Sequence, residues 1–259
     1  MDYRKIGFWQ LVIMAFLLNI IVQLTHESGH WIVCETLGKK PVWGFNQLLQ
    51  MWGDPPPIHP DQWITTISPG GEKGWLRLGS SLSINEFNIM LAAGPVASIL
   101  GAILGLSLMY WNSVPITRQM GLVMALTGSF IMSMYYLRGF SRMGGDEYFL
   151  AANLGIHKYI IDIPFGLSFI TVFIAGILAL GDWRTMLKWF GALILGSLPS
   201  GLLIMKANSI VLAQVNLDNQ LFRPLLGWSL PVIIVNIIVC LVLLIWWKQA
   251  KVRSSIDLR

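Results

Sequence analysis

Long apolar runs constrain this chain more than any other feature. A helix crosses the hydrocarbon core with about 20 consecutive, mostly apolar residues. Hydropathy places about six such stretches, at 7–38, 88–111, 120–137, 159–180, 186–205 and 226–248. Inside lipid every backbone polar group must be satisfied within its own segment or a closed barrel. The expected fold is therefore an all-α polytopic membrane protein, multi-pass and integral to the bilayer. Composition agrees: 55% of the 259 residues are hydrophobic and 12% are charged, against about a quarter charged in soluble chains. The first run is too long for the apolar core of a cleavable signal peptide and lacks a small-residue cleavage site, so it is expected to stay as an anchor. Cys34 and Cys240 have no paired or CxxC spacing and read as buried small hydrophobes. The net charge is +5. Lys248, Lys251, Arg253 and Arg259 cluster after the last run, where anionic lipid is the natural partner; no motif supports nucleic-acid binding.

One segment does not fit the pattern of spans. Residues 39–87 are too polar and too long to be a span, yet carry Trp43, Trp52, Trp63 and Trp75. Pro55, Pro56 and Pro57 exclude a helix there. Residues 63–78 have β-branched and aromatic positions on both sides of Pro69-Gly70-Gly71. That pattern predicts a β-hairpin between the first two spans, associated with the membrane surface. An ordinary loop outside the membrane is the alternative.

The first span carries Asn19, Gln23, His26, Glu27 and His30. At about 100° per residue these five share an arc of roughly 100°. Polar groups at this depth are expensive, so the stripe must face protein or water. His26 and His30 stand one turn apart and can reach one ion, with Glu27 beside them as a general base. In a chain with four histidines and five glutamates, chance gives this H-E-x-x-H spacing roughly once per thousand such chains. A polar cluster that merely joins helices is the competing explanation. The second span adds two rows of small residues, Gly94, Ser98, Ala102 and Ala97, Gly101, Gly105, which permit close helix approach.

Thr25-His-Glu-Ser-Gly-His30, a hairpin containing Trp and Gly, and then Ala93-Gly-Pro-Val-Ala-Ser98 together resemble the site-2 protease family of intramembrane zinc metalloproteases. The resemblance covers about residues 20–150. It implies a catalytic core of three helices, a Zn2+ cofactor, His26 and His30 as ligands, and a third ligand from an Asp after a later core helix. The matching position is Asp146 in Met143-Gly-Gly-Asp146-Glu-Tyr148. The Asn and Pro that the family's Asn-x-x-Pro pattern places before this Asp have no counterpart here, and Glu147 stands where the family has Gly; Arg138 or Ser141 lies near the place of the missing Asn. Bottom-up, a catalytic zinc takes three protein ligands and leaves one position open, and a Gly144-Gly145 pair lets the backbone bend toward the site. Glu147, His59 and His157 remain rival ligands. Asp162 reads as an interfacial residue at a helix start, and a helix cap is the bland reading of Asp146.

These readings imply residues 1–156 as a metalloprotease core and residues 157–259 as accessory spans with a basic tail. The expected activity is hydrolysis of a peptide bond in or beside the bilayer, with Glu27 catalytic. Its expected substrate is a membrane protein of a single span. The alternatives are a binding protein that keeps the fold without proteolysis, and a metal-ion transporter. Arg4, Lys5 and the basic tail point both termini to the cytoplasm; the resemblance points the other way.

Overall fold

The computed structural model describes residues 3, 6–42, 44, 50–52, 63–67, 71, 73–78, 80–139, 145–217, 219, 224–225 and 228–256. It is mostly helical. Among the described residues the long helices are α1 (Phe8–Thr36), α2 (Ile84–Trp111), α3 (Pro115–Gly139), α5 (Tyr159–Leu178), α6 (Trp183–Asn216) and α7 (Leu230–Ile256), with a short α4 (Asp146–Leu154) between α3 and α5. Among the described residues, α1, α2, α5, α6 and α7 are long and apolar enough to cross a membrane. The stretch expected as a third span, 120–137, lies in α3, a helix of 25 residues. Its sequence carries Arg118, Gln119, Thr127, Ser129, Ser133, Tyr135 and Tyr136. It packs against α2, α5, α1, α7 and α6, so most of its surface meets protein.

The distribution of exposure is that of a membrane protein. Polar side chains are inside: Asn19, Glu27, His30, Ser98, Thr127, Ser129 and Ser200 are all buried. Large apolar ones are outside, including Ile32, Leu100, Leu104, Leu202, Leu203, Leu244 and Ile245. In water such exposure would be a liability; against acyl chains it is the favoured arrangement.

The helix α1 lies at the centre, packed by α2, α3 and α6. Small residues let the backbones meet. A Cβ on Gly29 of α1 would strike the Ala93 carbonyl of α2 and sit 2.9 Å from the Ala97 Cβ. Gly105 of α2 and Gly121 of α3 are packed backbone to backbone, and Gly196 of α6 lies against Val12, Ala15 and Phe16. The rows of small residues in α2 are thus used as close-packing surfaces.

The hairpin is present. The strands β2 (Trp63–Ile67) and β3 (Lys73–Arg77) pair antiparallel, with Trp63 opposite Arg77 and Ile67 opposite Lys73. A third strand, β1 (Gln50–Trp52), pairs with the other side of β3, leaving β2 as an edge in the order β1-β3-β2. The Pro69-Gly70 part of the turn lies outside the described residues. Leu76 and Leu78 are buried in one cluster with Cys34 at the end of α1, Met90 and Leu91 of α2, and Leu150 and Ala151 of α4. The sheet is therefore seated over the same end of α1 and α2 that carries the histidines. A two-stranded ribbon, Pro224–Leu225 with Trp228–Ser229, precedes α7. The start of α2 is set by a capping box: Ser83 Oγ accepts from the Glu86 N–H at 3.3 Å, and Glu86 Oε2 accepts from the Ser83 N–H at 2.7 Å. Lys39, just past α1, pairs with the same Glu86 carboxylate at 3.1 Å.

Candidate metal site

The polar stripe of α1 faces protein along its length. None of Asn19, Gln23, His26, Glu27 and His30 is exposed. The two histidines, one turn apart, place their rings edge to face with centroids 5.0 Å apart. Their Nε2 atoms approach to 3.3 Å. Asp146 closes the triangle: its Oδ2 is 3.2 Å from His26 Nε2 and 3.1 Å from His30 Nε2. Residues 26 and 146 are 120 positions apart in the chain, and this group of three could hold a metal ion.

The other ring nitrogens show why. His30 Nδ1 is 2.7 Å from the Met90 carbonyl oxygen. A carbonyl only accepts, so Nδ1 carries the hydrogen, and a neutral ring then presents a bare lone pair at Nε2. His26 Nδ1 is 2.9 Å from Ser98 Oγ; with Nδ1 donating there, its Nε2 is bare as well. Two lone pairs and a carboxylate oxygen then converge, and such a triangle repels itself unless a cation or proton sits against it. Ligands 2.0–2.1 Å from a tetrahedral zinc lie about 3.3–3.4 Å from one another. The observed separations of 3.1, 3.2 and 3.3 Å fit that demand. Histidines that bind metal are typically oriented by a hydrogen bond from the second ring nitrogen, and both rings here have such a partner.

The local sequence of α2 supplies those partners. A Cβ on Gly94 would run into the His30 ring and come within 2.9 Å of His26 Nε2, so only glycine leaves room for the two imidazoles. Pro95 has no N–H and crowds the Leu91 carbonyl, which loosens the helical ladder over the turn that offers the Met90 oxygen. Ser98, one turn further, reaches His26. The Gly94-Pro95-x-x-Ser98 run thus does more than pack. Ser98 and Met90 belong to the site and had no assigned role from sequence, although Ser98 stood at helical spacing from Gly94.

Asp146 is the first residue of α4. Its N-cap, Gly145, has φ +95°, a backbone conformation costly for other residues. Burial works against an ionised Asp146, but His30 and His26 outweigh it and hold the carboxyl well below the usual carboxylate range. Glu147 goes the other way: burial first, then the Asp146 charge, raise it. Its carboxylate is turned from the histidines and accepts from Tyr135 Oη at 3.1 Å and from Tyr136 Oη. Glu147 is therefore not brought to the ligand triangle.

Glu27 is 4% exposed and close enough to feel the charges of His26, His30 and Asp146. Its carboxylate has no hydrogen bond or ion pair with a described residue. His157 lies on the surface with its ring 4.4 Å from that of Tyr159. Asp162 is buried in the first turn of α5, with Lys158 Nζ at 3.5 Å. Neither joins the triangle. His59, Ser141 and the side chain of Arg138 lie outside the described residues. A cavity of about 200 Å³ separates the sheet from the start of α2, lined by Ile64, Thr65, Leu76, Phe87 and Asn153 among others. Asn153 of α4 donates to Asn88 Oδ1 of α2 at 2.9 Å at its edge. Comparisons with protein-family models, with curated proteins and with solved structures find no match.

Proposed function

We propose that this chain is an intramembrane zinc metalloprotease, similar to the site-2 proteases, that hydrolyses peptide bonds in or beside the spans of membrane-protein substrates. The observation that carries the reading is the meeting of His26 Nε2, His30 Nε2 and Asp146 Oδ2 beside the buried Glu27, whose carboxylate has no hydrogen bond or ion pair with a described residue. His26, His30 and Asp146 would hold the zinc. Zinc held there would supply Lewis acidity toward a carbonyl oxygen and toward water near neutral pH. Glu27 takes a proton from the attacking water and returns it to the leaving nitrogen, so that the amide plus water becomes a carboxyl and an amine. An unpaired carboxylate is what that shuttle requires. Ser98 and the Met90 carbonyl hold the imidazoles in place.

The substrate segment must unwind before attack, because a helix ties up its carbonyls in i→i−4 bonds. The strand β2, at the edge of the sheet among the described residues and seated over the same end of α1, would offer its outer backbone groups to an extended chain. In this reading α3 is the sixth span. Its 25 residues reach about 37 Å at 1.5 Å per residue, more than the ~30 Å hydrocarbon core.

The test compares wild type with Glu27→Gln in a proteolysis assay on a single-span substrate in detergent or vesicles. Retained zinc with lost hydrolysis supports the enzyme. Zinc bound by a wild type without any hydrolysis would favour a transporter or a binding protein.

A further inference from the structure

The ligand Asp146 has a neighbour with an unusual amount of support. Successive residues of a helix diverge by about 100°, so as Asp146 turns toward α1, Glu147 turns toward α3. There it is 4% exposed and accepts from two consecutive phenols, Tyr135 and Tyr136. The Tyr135 hydroxyl also abuts Gly145: a Cβ at that position would collide with it. Tyr136 is itself held, stacked on Phe165 at 6.1 Å and Phe169 at 5.8 Å, both on α5. The helix α4 has nine residues, too few to hold its own first turn rigid. Its N-terminus must be placed by contacts from outside.

We infer that Tyr135, Tyr136 and Glu147 form a clamp that positions Asp146 for metal binding, with α5 as its backing. Two donors on different oxygens of one carboxylate fix it in two directions. The short Asp side chain then leaves the Oδ2 position to be decided by where the backbone lies. The clamp gives residue 147, where glycine would stand in the site-2 protease pattern, a function of its own, and it makes α5 part of the site's support. These are positioning residues; none reaches the triangle. The inference rests on reading His26, His30 and Asp146 as ligands.

The test uses the full chain in detergent with zinc alone, its affinity measured by competition with a chelator. Tyr135→Phe/Tyr136→Phe keeps both rings and removes both donors. Its zinc affinity should fall about tenfold or more, within the range for lost outer-shell partners. Glu147→Gln keeps one acceptor oxygen and should fall between wild type and Glu147→Ala. A purely structural role is separated by Phe173→Leu, which loosens the α3–α5 contact at Phe130 (5.7 Å) away from the clamp. That variant should lower the metal-free thermal midpoint yet leave zinc affinity within twofold. Clamp variants that bind zinc within twofold of wild type overturn the clamp alone. So does a Phe173→Leu protein that loses as much affinity as they do. A wild-type chain that takes no zinc overturns the metal-site reading and the clamp with it.

Discussion

Asp146 and Glu147 are adjacent in the chain and opposite in environment. One lies against two imidazoles, the other accepts from two phenols. Only the family resemblance favoured Asp146 over its rival Glu147, because both are carboxylates after a Gly-Gly pair and their surroundings depend on which way the first turn of α4 is rotated. The consequences differ from a simple ranking of ligands. Asp146→Ala should abolish stoichiometric zinc binding and proteolysis, and Asp146→Asn should be nearly as poor, since a neutral amide is a weaker ligand. Glu147→Ala should not be mild: it leaves two buried phenols without an acceptor, which costs about 1–3 kcal/mol each, and shows as a lower thermal midpoint together with weaker zinc binding. A Glu147→Ala protein with wild-type stability would contradict this. Glu27→Gln belongs at the same scale. It should keep zinc and fold while hydrolysis drops by about 10²–10⁴-fold, the usual share of a general base. Turnover within a few-fold of wild type would remove Glu27 from the reaction.

At the scale of elements, the helix α2 changes meaning most. Its rows of small residues are legible as packing from i, i+4 spacing, and Gly29 against Ala93 and Gly105 against Gly121 show that use. The spacing does not say that one glycine faces the His26 and His30 imidazoles. Gly94→Leu is therefore expected to break the site directly, with zinc lost even in protein that remains assembled. Assembled, zinc-replete Gly94→Leu protein would contradict the position of α2. The hairpin was legible from alternation and its turn, whereas β1 was not, because Gln50–Trp52 is only three residues long and its partner β3 comes after a proline-rich stretch. The capping box of α2 gives a milder test. Ser83→Ala should lower stability by about 1 kcal/mol, read as a small shift in thermal midpoint with zinc affinity unchanged.

Across the whole molecule, membrane insertion was legible from composition, and the five most apolar helices agree with it. The third expected stretch, 120–137, lies in α3 and carries polar groups at Ser129 and Tyr136. Hydropathy measures how well a helix tolerates lipid, and α3 is enclosed by α1, α2 and α5, where Ser129 and Tyr136 can be buried without meeting acyl chains. The short α4 was missed because nine residues between Gly145 and Gly155 carry too little periodicity to stand out from a connection. The site itself was half legible. His26, Glu27 and His30 announce themselves through local spacing on one helix, but the partners Ser98, Met90, Tyr135 and Tyr136 come from other helices, and only the packed bundle brings them in. The most direct test of the central claim is the metal content of the purified chain, measured elementally beside His30→Ala and Asp146→Ala. The account predicts about one zinc per wild-type chain and a small fraction of that in each variant; zinc at wild-type stoichiometry in either variant, or none in the wild type, would contradict it.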